Sequence, residues 1–172
     1  MSIINNYSEY KEELELIHAQ NRVECDLYSI IATIIRECCA KQAISLRDVS
    51  ARRTTDFSSV FKSEEAGFPD FVIRTREKSN EAEILGAVEV KYITEDLDSQ
   101  KHIEQVEAQL KFYKRLLYTN GLEWRFYNNG QCNEPCWKVT LGRINNQDLW
   151  LWNKDENWKE LLNKLRYDTD WN

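Results

Sequence analysis

Apolar and polar positions follow two periods along the chain, and the period changes mark the elements. Between residues 8 and 42, Glu24, Leu27, Tyr28, Ile31, Ile34, Ile35 and Cys38 recur at three-and-four spacing, which predicts a helical segment, with or without an interruption, carrying one buried stripe. "ISLRDVSARRTTDFSSVFKSEEAG" (44–67) is mixed and polar and predicts a short strand and a loop. "FPDFVIR" and "ILGAVEVKYI" predict two strands, and the polar link "TREKSNEAE" between them predicts an antiparallel hairpin with a moderately long loop. In "DLDSQKHIEQVEAQLKFYKRLLYTNG", Ile103, Val106, Leu110, Tyr113 and Leu117 mark a helix face, with Asp98 or Ser99 as cap and Asn120-Gly121 as stop. "LEWRFYN" and "CWKVTLGRI" predict strands, and "DENWKELLNKLRY" a final helix with Trp158, Leu161, Leu162 and Leu165 inward. The order of helix, strands, helix, strands, helix predicts an α/β layered domain with a mixed β-sheet flanked by helices.

Composition narrows the picture. The chain has 172 residues, 42% hydrophobic and 30% charged, enough for a single domain over 1–172 with a proper core. Five Gly and two Pro leave little room for long linkers. A formal net charge of −6 opposes non-specific binding of a polyanion. The start "MSIINNYSEYKEELEL" lacks the pattern of a signal peptide, and the apolar run "LYSIIATII" is too short to span a bilayer. The cysteines are odd in number (Cys25, Cys38, Cys39, Cys132, Cys136), which points to reduced thiols in a cytoplasmic protein. "CNEPC" has no second Cys or His pair at zinc-site spacing, so its thiols read as ordinary ones.

The chemistry concentrates in residues 68–93. Side chains alternate faces along a strand, so Ala87, Glu89 and Lys91 share one face and Val88, Val90 and Tyr92 the other. Glu89 and Lys91 therefore emerge roughly 7 Å apart along the strand. The hairpin brings Asp70 toward Glu89, and two close carboxylates repel unless a cation lies between them. A hard divalent cation takes one or two carboxylates with water and phosphate, and a lysine beside it suits a water or a phosphate oxygen: the parts of metal-assisted phosphodiester hydrolysis. The plainer reading is a solvent-facing Glu–Lys pair on an edge strand. Glu24, a carboxylate on an apolar stripe, needs a partner, and Lys91 or a metal would serve. Gln105, Gln109 and Tyr113 fall on one face of the helix that follows the Glu-Lys strand.

Pro69-Asp70 followed by Glu89-Val90-Lys91 spells PD…ExK, with 18 residues between Asp70 and Glu89. Together with Gln109 and Tyr113 as QxxxY, Thr119-Asn120-Gly121, Trp124 and Tyr127, the chain resembles the PD-(D/E)XK nuclease superfamily. Within it, residues 20–130 look like the nuclease domain of type I restriction-enzyme motor subunits. The resemblance implies a restriction-endonuclease-like core at about 20–130, with strands and a Trp-rich helix added over 131–172. It implies Mg²⁺ or Mn²⁺ held by Asp70, Glu89, the Val90 carbonyl and Glu24. Lys91 would orient the attacking water, and Gln109 and Tyr113 would support the site or touch the DNA backbone. The products would carry a 5′-phosphate and a 3′-hydroxyl.

Unlike those motor subunits, this sequence has no P-loop, so ATP-driven translocation is excluded and any motor or specificity part would be another chain. The expected function is a metal-dependent DNA endonuclease of restriction, defence or DNA processing. The alternatives are a non-catalytic binding subunit or inhibitor on a nuclease-like scaffold, and a nuclease acting on RNA. DNA is the expected partner, with a protein partner supplying DNA affinity or specificity as a further option, no membrane, and a dimer left open. Arg47, Arg52, Arg53, Thr54, Thr55 and Ser58 form the candidate DNA-facing stretch, since Arg with Thr and Ser hydroxyls suits phosphate contacts; an ordinary solvated loop is the alternative. Trp137, Trp150, Trp152, Trp158 and Trp171 read either as core or as a partner-binding surface.

Overall fold

A computed structural model describes residues 6–51, 57–128 and 134–172. The predicted N-terminal helical segment is two helices. Helix α1 (Tyr7–Gln20) is capped by Asn6, whose side chain accepts from the Ser8 and Glu9 amides. Arg22, at φ 55, ends it, and a single 3-10 turn (Glu24–Asp26) leads into α2 (Leu27–Cys38). The stripe holds: Leu27, Ile31, Ile34, Ile35 and Cys38 are all buried.

The sheet has six strands in chain order: β1 (Ile44–Asp48), β2 (Phe71–Thr75), β3 (Ile84–Val90), β4 (Arg115–Thr119), β5 (Glu123–Asn128) and β6 (Trp137–Thr140). Every neighbouring pair is antiparallel except β3–β4, which is parallel. Parallel neighbours need a crossover, and helix α3 (Gln100–Tyr113) supplies it. A hairpin of β7 (Gly142–Ile144) and β8 (Trp150–Trp152) and a last helix, α4 (Asp155–Asn163) with a π turn (Lys164–Asp168), complete the described residues. One core joins α1, α2 and α4 to the sheet through Phe71, Ile73, Val88, Val90, Leu117, Trp124 and Phe126. A smaller core sets α3 on the other face against Val72, Ala87, Leu116, Tyr118 and Tyr127. The molecule is an α/β protein of four helices, a six-stranded mixed sheet and a hairpin.

Three expectations change. Helix α3 stops at Tyr113, not at Asn120: Lys114 turns the chain at φ 64, and Arg115–Thr119 enters the sheet. Leu116 and Tyr118 fill one core while Leu117 fills the other, so the run is apolar on both faces and its period cannot separate a buried strand from a helix. Asn120-Gly121 is instead the β4–β5 turn, where Asn120 Oδ1 accepts from the Leu122 and Glu123 amides and Gly121 takes φ 85. "CWKVTLGRI" is two strands, β6 and β7, divided at Leu141, which is fully buried and donates to the Leu122 carbonyl. β8 was not anticipated.

Of the five C-terminal tryptophans, Trp137, Trp158 and Trp171 are buried in the first core, and Trp150 and Trp152 stack on one another half-buried. Three of the five therefore pack the fold, while Trp150 and Trp152 keep part of their rings at the surface. Cys38 and Cys39 are buried, Cys25 and Cys136 exposed, and none of the four forms a disulfide among the described residues; Cys132 lies outside them. Among the described residues no helix is long and apolar enough to cross a membrane.

Candidate active site

Strand alternation places Glu89. Val88 and Val90 point into the first core and Ala87 into the second, so Glu89 turns toward α3. Lys91 follows the end of β3, and its amide donates to the Thr119 carbonyl, which keeps it on the path of the strand. Glu89 is 4% exposed and Lys91 9%. A carboxylate buried that far needs several partners. Lys91 Nζ donates to Glu89 Oε1 at 2.6 Å, Gln105 Nε2 donates to the same oxygen at 2.6 Å, and Gln109 Nε2 donates to Oε2 at 2.7 Å. Gln105 and Gln109 reach the same carboxylate because they stand one turn apart on α3. Gln109 Oε1 is buried without a partner.

Asp70 immediately precedes β2, where Phe71 pairs with Val88. Past that pair the β2 backbone no longer faces β3, and the Asp70 side chain takes over: its Oδ2 accepts from the Val90 amide at 2.8 Å. The Asp70 carbonyl accepts from Val49, tying the residue to the end of β1. Tyr28, in the first turn of α2, donates to Asp70 Oδ1 at 2.5 Å, and its hydroxyl is 3.2 Å from Glu24 Oε1. Its ring meets Phe71 edge-on, centroids 5.3 Å apart.

Burial and, second, the negative charge of Glu89 push the Asp70 carboxyl up to about 7. Burial also raises Glu24, an effect the Lys91 ammonium opposes. Burial followed by the hydrogen bond to Asp70 pushes the Tyr28 hydroxyl far up, so it is a neutral donor. Glu24, Tyr28, Asp70, Glu89, Lys91 and Gln105 line one cavity of about 460 Å³, together with Ser50, Glu65, Lys101 and Glu104. A larger cavity, about 750 Å³ between α3 and β5–β6, contains none of the residues around Asp70 and Glu89; the candidate residues line the smaller one.

Asp70, Glu89, Lys91, Gln109 and Glu24 thus meet around one pocket or its wall. Glu24 does so from the 3-10 turn before α2, half-buried, and not from a helix stripe. Tyr113 does not join them. It is 2% exposed and its hydroxyl donates to the Phe61 carbonyl, so it braces the loop before β2. Arg52, Arg53, Thr54 and Thr55 lie outside the described residues. Two members went unassigned at the level of sequence. Tyr28 stands four residues after Glu24, and Gln105 four before Gln109; helical spacing from the acidic candidate was the signal for the first.

The donor set suits a hard divalent cation. The pocket offers carboxylate oxygens, and the Asp70 carboxyl, raised by burial and then by the charge of Glu89, would be favoured in its ionised form by a nearby cation. Among the described residues no three acidic, histidine or cysteine side chains converge into a ready-made cage. Protein ligands would therefore be few, with water or phosphate completing the shell, as Mg²⁺ commonly accepts.

No protein-family model matches the sequence, and no curated protein matches it. Among solved structures, the chain is similar to part of a chain in the cryo-EM structure of a DrdV–DNA complex, with a TM-score of 0.60 at 15% identity. The match covers 95% of this chain and 14% of that one, so this chain spans about a seventh of its length. At that identity the likeness shows the fold.

Proposed function

We propose that this domain is a Mg²⁺- or Mn²⁺-dependent endonuclease that hydrolyses phosphodiester bonds in DNA, on a restriction-endonuclease-like core. The observation that carries this reading is the buried Glu89–Lys91 pair at the end of β3, clamped by Gln105 and Gln109 and facing Asp70 across one polar pocket. A Glu–Lys pair on a solvated strand edge would need neither the burial nor two amide donors. The likeness in fold to part of a chain solved bound to DNA supports the choice of substrate, as does the PD…ExK pattern.

In this reading Asp70 and Glu89 hold the cation, with Glu24 and the Val90 carbonyl completing its protein ligands. The bound ion would polarise the phosphate and acidify a water. Gln105 and Gln109 fix the Glu89 carboxylate in one orientation. Lys91, held beside Glu89, orients the attacking water or steadies charge developing on a phosphate oxygen. The Val90 amide fixes the orientation of Asp70.

The test is nicking of supercoiled plasmid with Mg²⁺ or Mn²⁺, with Lys91→Ala as control and its folding checked by circular dichroism. Metal-dependent nicking abolished in the folded Lys91→Ala protein is expected; robust cleavage by that variant rejects the role of Lys91. RNA of the same sequence as a linear DNA substrate separates the two nucleic acids. One observation favours a second reading, a non-catalytic binding subunit: both oxygens of Glu89 already accept from protein donors, and no ready-made cage exists among the described residues. Absence of Mn²⁺ binding in a calorimetric titration would select it.

A further inference from the structure

We infer that Tyr28 is a positioning residue of the acidic site, its hydroxyl holding Asp70 and Glu24 in the arrangement that receives a divalent cation. This inference rests on the proposed cation site and adds a residue to it that the motif pattern does not contain.

The geometry is specific. The hydroxyl is 2.5 Å from Asp70 Oδ1 and 3.2 Å from Glu24 Oε1, yet it has one proton to give. It therefore donates to one carboxylate at a time, and the shorter distance assigns the proton to Asp70. The other Asp70 oxygen is taken by the Val90 amide at 2.8 Å. Asp70 is thus held at both oxygens, one by strand β3 and one by helix α2. The Tyr28 hydroxyl thus links Glu24, in the turn before α2, to Asp70, just before β2.

The ring has little freedom. It sits in the first turn of α2 and meets Phe71 edge-on, and Phe71 is the residue next to Asp70. Ring and carboxylate are therefore referred to the same strand end. Burial keeps the phenol neutral, so it acts by hydrogen bonding and not by charge. If Asp70 were to serve a cation, the Tyr28 proton could turn to Glu24, the second acceptor in reach, without movement of the ring. Tyr28 would then hold Glu24 as it formerly held Asp70. Both Tyr28 and Glu24 line the cavity, so the exchange happens at the surface the ligand meets.

The experiment uses Tyr28→Phe, which keeps the ring and its contact with Phe71. Two readouts are taken on the full chain. The first needs no metal: exchange of the Val90 amide, which bonds to Asp70, measured by NMR in EDTA and divided by exchange of the Leu117 amide in the neighbouring strand. The second is Mn²⁺ affinity by calorimetry. Tyr7→Phe, which removes a buried hydroxyl bonded to the Leu141 carbonyl, is the control for loss of any phenol. Losing a hydrogen bond to a carboxylate should quicken relative Val90 exchange about tenfold and weaken Mn²⁺ about tenfold, with Tyr7→Phe moving neither. An unchanged Val90 ratio overturns the inference, whatever the metal does. An unchanged Mn²⁺ affinity, where the wild type binds the ion, overturns the role of Tyr28 in the cation site. If the wild type binds no Mn²⁺ while Val90 exchange quickens, the cation reading fails and the hold of Tyr28 on Asp70 stands.

Discussion

Replacing Asp70 by Asn should stabilise the metal-free protein at alkaline pH, and by progressively less as the pH falls toward about 4. The carboxyl has a folded value of about 7 against 3.8 in the unfolded chain. A raised folded value means the native state binds the proton more tightly. Between about pH 4 and 7 the native state therefore carries protonated Asp70 while the unfolded chain does not. Stability falls as pH rises through that window and is level above it. About three pH units at 1.36 kcal/mol each set a ceiling of about 4 kcal/mol for the strain at pH 8.5. Asn at 70 keeps the native contacts: its carbonyl oxygen accepts from the Val90 amide, and its NH₂ faces a Tyr28 hydroxyl free to turn its proton to Glu24. It has no charge to lose. The assay is thermal unfolding in EDTA at pH 5 and pH 8.5. At roughly 3 °C per kcal/mol for a chain of this size, Asp70→Asn should melt up to about 10 °C above the wild type at pH 8.5. At pH 5, about one unit into that three-unit window, the gap should shrink to roughly 40% of that. Adding Mg²⁺ at pH 8.5 should raise the wild-type Tm and not that of the variant. A gap of equal size at both pH values, or none at pH 8.5, refutes the claim that Asp70 is held under electrostatic strain by its burial and by Glu89.

The other predictions test the wall of the site and the packing behind it. Lys91→Met removes the only ammonium bonded to the buried Glu89 among the described residues and should cost about 3–5 kcal/mol in EDTA, read by urea unfolding; a loss under 1 kcal/mol shows that the two glutamines suffice. Gly86→Ala should destabilise by about 1–3 kcal/mol, because an added Cβ would lie 2.6 Å from Trp171 Cζ3 and 2.8 Å from the Arg115 carbonyl oxygen. Trp171→Ala, emptying a fully buried site, should cost about 3–5 kcal/mol, and a neutral result removes the C-terminal segment from the core. Tyr113→Phe should cost about 1 kcal/mol through its lost bond to Phe61 while leaving DNA affinity unchanged; weakened DNA binding at unchanged stability restores it to the substrate surface.

What could be read from the sequence depended on whether a residue's role is local. The order of elements, the β2–β3 hairpin and the shared face of Glu89 and Lys91 all follow from spacing within ten or twenty residues, and the structure has them. The end of α3 did not, because "RLLYT" is buried on both faces and carries no period of its own. Tyr113 looked like a member of the site because it stands one turn from Gln109. The same helix face runs from the Glu89 carboxylate into the second core, and one turn is enough to leave the pocket. Tyr28 was counted only as part of an apolar stripe. Its hydroxyl reaches Asp70 across 42 residues of sequence, a contact that only the tertiary fold creates.

The charges around the pocket bear on how a nucleic acid would bind. Of its ionisable lining residues, Glu24, Glu65, Asp70, Glu89 and Glu104 are acidic, while Lys91 and Lys101 are basic. Lys91 is already committed to Glu89. The mouth of the site is therefore acidic, on a chain of net charge −6, and a phosphate approaching it meets repulsion. Under the proposed reading the cation does two things at once: it relieves the Asp70–Glu89 repulsion, and it converts a surface that rejects phosphate into one that accepts it. Metal and DNA should then bind with positive coupling, each raising the affinity of the other by the same factor. The coupling is measurable by titrating Mn²⁺ into the Lys91→Ala protein with and without a short duplex. Equal Mn²⁺ affinities in the two titrations would show that DNA engages a surface apart from this pocket.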